Sequence, residues 1–102
     1  MLTRIQSIHF DADTKLIQTI EGKIGQLAHY GSKLKLDAAD VILRLENTRA
    51  IRTKIVEINL NIPGKPVRVT ASGKAFEESF NKAFTQLKRQ LIRQKEIIQD
   101  KH

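Results

Sequence analysis

The sequence predicts an α+β fold: a two-layer sandwich of order β-α-β-β-β-α, with a four-stranded sheet and both helices on one face. Three observations predict it. Three central segments alternate apolar with polar residues, the pattern of a sheet covered on one side only. Two flanking segments instead repeat apolar residues at helical spacing. The 102 residues leave room for one core, so residues 1–102 are expected to form a single domain.

Taken in order, "RIQSIHF" (4–10) is a short β-leaning run whose alternation falters at Ser7–Ile8. "DADTKLIQTIEGKIGQLAHYG" (11–31) then places Leu16, Ile17, Ile20, Ile24 and Leu27 on one helical stripe, with Asp11 or Asp13 suited to the N-cap and Gly31 to the stop. Gly22 and Gly25 lie inside this helix. Each costs about 1 kcal/mol relative to Ala, so packing must hold the helix together.

Three strands follow. In "DVILRLEN" (40–47), Val41, Leu43 and Leu45 share one face. In "KIVEINLNIPG" (54–64), Val56, Ile58, Leu60 and Ile62 do the same, as do Val67, Val69 and Ala71 in "KPVRVTASG" (65–73). "NTRAIRT" reads as the first link, which places Arg49, Arg52 and Lys54 in a loop, and "PGKP" as a turn. The first helix serves as the crossover that lets strand one pair in parallel, while the other three strands form an antiparallel meander.

The last helix runs from about Ala75 to Ile98, with Phe76, Phe80, Ala83, Phe84, Leu87, Leu91 and Ile98 in one stripe. Such a helix reaches ~35 Å, whereas a six-residue strand spans ~20 Å. Its final turns should therefore project past the sheet. With one apolar sheet face available, both helices must cover it.

Charge is the strongest global feature: 18 Lys+Arg against 11 Asp+Glu, a net charge of +7. Residues 1–50 carry 7 basic and 6 acidic side chains, and residues 51–102 carry 11 and 5, so the excess sits in the second half. That imbalance favours a polyanionic partner. "LKRQLIRQK" (87–95) concentrates it, and no acid lies between Glu78 and Glu96. Lys82, Arg89 and Arg93 fall within ~40° of one another on the outer face, with Lys88 and Lys95 in a second row. A solvated face favoured by the helix dipole is one account of these cations. A surface facing phosphate is the other, and it explains why like charges stand together without i,i+4 partners. On the first helix, Lys15 and Lys23 occupy the flank, and the two glycines either admit a phosphate backbone closely or are simply tolerated. Arg44 and Arg68 are expected on the open sheet face.

Other function classes find little support. The chain has no cysteine, which excludes disulfides and thiolate metal sites. No stretch resembles a signal peptide or reaches membrane-spanning length, so a cytoplasmic location is expected. His9, His29 and His102 are scattered without ligand spacing, no Gly-rich phosphate loop is present, and Glu77–Glu78 diverge on a helix. No enzyme activity, cofactor, metal, membrane or small-molecule substrate is expected. Phe76, Phe80 and Phe84 belong to the buried stripe, so a base-stacking platform is missing. The expected mode is recognition of shape and phosphate in folded, double-stranded RNA.

These residues resemble a known family. "IHF" (8–10), Leu16, Ile20, Lys23, Ile24, Leu27 and Tyr30, "IPG" (62–64), "ASG" (71–73) and "LKRQLIRQK" follow, in order and spacing, the pattern of ribosome hibernation promoting factors and ribosome-associated inhibitors, also called sigma-54 modulation proteins. The resemblance covers nearly the whole chain. It implies binding to the ribosomal RNA of the small subunit, over the paths of messenger and transfer RNA, in stationary phase or starvation. It also implies silencing of translation as a stress response, with other hibernation factors as further partners. The family's basic positions fall at Lys23, Arg68, Arg89, Arg93 and Lys95, and Lys82 and Lys88 supply additional cations. Gln26, His29 and Gln86 stand where the family often has lysine, and Ala75 and Phe76–Glu77 depart from its usual second-helix cap. The chain resembles the short form, without a C-terminal dimerisation domain. Two other readings remain open: a generic double-stranded RNA module, and a protein-interaction module acting on the transcription machinery.

Overall fold

The computed structural model describes residues 2–27, 36–49 and 51–100, apart from the side chains of 48 and 95–100. Six elements follow in the expected order: β1 (Leu2–Ile8), α1 (Thr14–Gln26), β2 (Ala38–Thr48), β3 (Ile51–Asn61), β4 (Val67–Gly73) and α2 (Phe76–Asp100). The sheet order is β1-β2-β3-β4. β1 pairs with β2 in parallel, and the two remaining pairs are antiparallel.

The core lies between the sheet and the helix layer. Ile20, Ile24 and Leu27 of the first helical segment meet Val41, Leu43, Val56, Ile58, Leu60 and Val69, and Phe80, Ala83, Leu87 and Leu91 close it from α2. Asp13 caps α1, its carboxylate accepting from the Leu16 amide at 2.7 Å. α1 ends at Gln26 with Leu27 as C-cap, ahead of the anticipated stop. Tyr30 and Gly31 lie outside the described residues.

Three boundaries differ from expectation. β1 begins at Leu2 and ends at Ile8 rather than running to Phe10. His9 turns into the left-handed region at φ 70°, and Phe10 folds inward to stack on Phe76 at 4.3 Å between ring centroids. This stack ties the entry of α1 to the start of α2. The link "NTRAIRT" is mostly strand: β2 and β3 pair through to Thr48↔Ile51, so Arg52 and Lys54 belong to β3 and only Arg49 and Ala50 connect the two.

The α2 start, where the sequence departs from the family's usual cap, is well made. Ser79 is fully buried, and its hydroxyl donates to the Lys54 carbonyl at 2.6 Å, with the Ala75 carbonyl at 3.1 Å. The Glu78 carboxylate accepts from the Lys74 amide at 3.3 Å, satisfying a donor just ahead of the helix. Gly73 belongs to the same joint, since a Cβ there would stand 3.0 Å from Glu78 Cδ and Ser79 Oγ.

Burial on α2 continues to Leu91, a little over 20 Å from its first residue at 1.5 Å per residue. The seven-residue strands β1 and β4 span about the same distance. Beyond Leu91 the helix runs on for roughly 13 Å past the sheet. The paired ends of β2 and β3 extend past the sheet at the opposite end, and the molecule is accordingly 53 Å long but only 24 by 19 Å across.

Candidate nucleic-acid interface

The cations divide between two faces. On the open sheet face, β1 to β4 bring Arg4, Asp40, Asn59 and Arg68 into one row. Arg4 forms an ion pair with Asp40 at 2.7 Å, and the Arg68 guanidinium donates to Asn59 at 2.9 Å. Two rows further on, Arg44 reaches Glu46 at 2.8 Å. A cavity of about 490 Å³ opens here, lined in part by Arg4, Asp40, Asn59, Pro66 and Arg68. Its cations are already engaged by groups of the same chain.

The helix layer differs. Because Leu87 and Leu91 are buried, Arg89 and Arg93 must point outward, and both are exposed. They line a shallow trough with Gln86 and Gln90. Among the described residues neither has an ion-pair or hydrogen-bond partner. Lys88 lies over the Phe84 ring, 5.6 Å from its centroid, and leaves its ammonium in solvent. The Lys95 side chain lies outside the described residues.

Lys82 departs from the outward ridge anticipated with Arg89 and Arg93. Its ammonium sits 3.1 Å from the Glu78 carboxylate, one turn back, and donates to the Ser72 carbonyl at 3.3 Å. The i,i+4 spacing and the nearby end of β4 draw it toward the helix start. The Lys82 hydrogen bond is the main reason that the Glu78 carboxyl is held below the usual glutamate range, followed by the Lys74 amide.

Lys23 lies between the helices. Its ammonium donates to the Asn81 side chain of α2 at 3.3 Å, bridging a groove that Lys15, Thr19 and Phe80 also line. Gly22 and Gly25 have open space where a Cβ would stand. The structure therefore brings together Lys88, Arg89 and Arg93 on one helix segment, places Lys23 and Lys82 elsewhere on the helix layer, and puts Arg68 on the opposite face. Sequence reasoning missed Asn81, which sits one residue past the buried Phe80 and so at the edge of α2 facing α1. That position was available from the helical period. Among the described residues no group of His, Cys, Asp and Glu is arranged to hold a metal ion, and no helix is long and apolar enough to cross a membrane.

One-sided core, strand order and cationic helix end define a basic two-layer α+β module of β-α-β-β-β-α order. The chain belongs to the family described as Sigma 54 modulation protein / S30EA ribosomal protein, whose model matches residues 3–99. Among solved structures it is similar in fold to a ribosomal subunit interface protein from Coxiella burnetii, with TM-score 0.79 and 18% identity over 93% of this chain and 98% of that one. It is likewise similar to the N-terminal domain of Protein Y from Thermus thermophilus, with TM-score 0.75 and 21% identity over 91% and 98% of the two chains. No curated protein matches the chain in sequence.

Proposed function

We propose that residues 1–102 act as one ribosome-binding domain and a non-enzymatic silencer of translation. It binds ribosomal RNA of the small subunit over the messenger and transfer RNA channel. In this reading the protein works in the cytoplasm during stationary phase or starvation, alongside other hibernation factors, and silences by occupying the channel. Lys88, Arg89, Arg93 and Lys95 supply the main phosphate contacts, Lys23 and Lys82 extend them along the helix layer, and Arg68 adds one from the sheet.

The observation that carries the reading is the outward pair Arg89 and Arg93, without a carboxylate among the described residues and flanking Leu91, where α2 leaves the core. Cations left without internal partners are neutralised at least cost by a polyanion, which releases its own counterions. Family membership supplies the ribosome as that polyanion's source.

Co-sedimentation with isolated small subunits tests this. With six or more phosphate contacts, affinity falls about a thousandfold between roughly 50 and 200 mM salt. Arg89→Glu with Arg93→Glu removes most binding while leaving the fold intact. Salt-independent binding, or full binding by that double variant, would overturn the reading. Equal affinity for a plain RNA duplex would point to a generic double-stranded RNA module instead.

A further inference from the structure

Past the end of the sheet, β2 and β3 continue as a two-stranded arm. β1 covers β2 only from Ala38 to Arg44, and β4 covers β3 only from Lys54 to Leu60. Glu46 to Thr48 and Ile51 to Thr53 pair with each other alone. At about 3.4 Å per residue the arm reaches roughly 13 Å from the body.

Its composition is one-sided. From Asn47 to Lys54 the sequence holds three cations and no acid. Lys54 is used by the fold, its ammonium donating to the Lys74 carbonyl at 3.0 Å. Arg49 and Arg52 are exposed, and among the described residues neither has a hydrogen-bond or ion-pair partner. Between them in sequence, Ile51 is 67% exposed, more than the other exposed large apolar residues, Leu2 and Ile92. Arg49 adopts φ 59°, a conformation that glycine or asparagine takes more readily. The turn thus carries an arginine at a conformational cost, and no described contact within the fold repays it.

An apolar side chain flanked by unpaired guanidinium groups on a projecting ribbon suits nucleic acid. Cations engage phosphates on either side while the apolar group packs against a base or sugar. By strand alternation Arg52 lies on the side of the sheet that carries the helices, the same side as the α2 cations, and Ile51 on the other. We propose that the β2–β3 arm is a second RNA-contacting element, separate from α2, in which Arg49 and Arg52 hold phosphates and Ile51 packs on an exposed base or ribose. The assignment of RNA as partner rests on the function proposed above; the arm as a contact element does not.

The test compares Arg49→Asn with Arg52→Gln, which keeps a residue suited to the left-handed turn, against the α2 double reversal. Unchanged melting temperature confirms that the arm variant folds. Its affinity for isolated small subunits should fall about tenfold, and the slope of log affinity against log salt should lessen by roughly 1.5, the loss of two phosphate contacts. Ile51→Thr should weaken binding several-fold with the slope unchanged, since no charge is removed. Wild-type affinity and slope for the arm variant, beside lost binding for Arg89→Glu with Arg93→Glu, overturn the arm proposal and leave the α2 reading standing. The reverse pattern overturns the α2 reading and leaves the arm. A photoreactive side chain in place of Ile51 should cross-link to ribosomal RNA; cross-linking to ribosomal protein alone overturns RNA as the arm's partner.

Discussion

Arg4, Arg44 and Arg68 on the open sheet face each reach a carboxylate or amide of the same chain, at 2.7, 2.8 and 2.9 Å. Arg89 and Arg93 on the second half of α2 reach none among the described residues. Both regions are exposed and rich in cations, so exposure and charge count do not separate them. What separates Arg4 and Arg44 from the α2 pair is that the fold supplies their counter-charge; Arg68, held by a neutral amide, keeps its charge. An exposed pair is worth less than about 1 kcal/mol, but it presents a nearly neutral surface to any partner. An unpaired cluster contributes nothing to folding and repels itself slightly, and it keeps its full charge for a partner. A cation still available to a partner is recognised by its missing neighbour. Within α2 the same contrast recurs, because Lys82 in the first half is paired with Glu78.

Removing the shared scaffold breaks the comparison most severely. Phe80→Ala empties a site 1% exposed, where both helices and the sheet meet, and should cost ~3–5 kcal/mol in urea unfolding. Next, neutralising Lys88, Arg89 and Arg93 to Gln should weaken small-subunit binding about a hundredfold and lessen the salt slope by two or more. Melting temperature should stay the same or rise slightly as repulsion is relieved. The matched pair Arg4→Gln with Arg44→Gln on the sheet should change neither affinity nor slope appreciably. Equal effects from the two faces would erase the distinction.

Smaller effects test the first half of α2. Ser79→Ala removes the 2.6 Å bond to the Lys54 carbonyl and should cost about 1 kcal/mol, read by the same unfolding experiment, with binding unchanged. The smallest concerns Glu78. Its carboxyl is held lower in the folded state than when unfolded, so its contribution is present above the unfolded glutamate range and disappears as pH falls through the folded value. Glu78→Gln should therefore lower stability slightly near neutral pH and flatten its decline on acidification. An unchanged acid limb in thermal melts would show that the Lys82 and Lys74 contacts do not persist in solution.

Much of this was legible in the sequence, for reasons that also explain the misses. Val41, Leu43, Val56, Ile58, Leu60, Val67 and Val69 alternate because one sheet face is buried, and that alternation alone revealed a single-sided sheet. It fell silent at 47–53 because no layer covers the arm there, so neither face has to be apolar and strand looks like loop. The cations at Arg89 and Arg93 were legible from the α2 period. The engagement of Lys82 was within reach, since Glu78 stands one turn before it, but the Ser72 carbonyl comes from a different element. Ser79 escaped because a hydroxyl in an apolar stripe gives no periodic signal. Its role depends on the Lys54 carbonyl, 25 positions away in sequence. Arg49 gave no sign of its backbone conformation.

One feature of the sheet bears on how the molecule comes together. β2 with β3 and β3 with β4 pair across short connections, but β1 meets β2 only after the chain returns through α1, joining Leu2 to Ala38. The entropy of closing a long loop is concentrated at that one junction. The meander with α2 can assemble from near neighbours, so the topology predicts that the amino-terminal strand docks late, which hydrogen exchange slower in β3 than in β1 would check. A docking order of this kind would place Arg89 and Arg93 in the portion whose contacts are local, away from the late-closing junction.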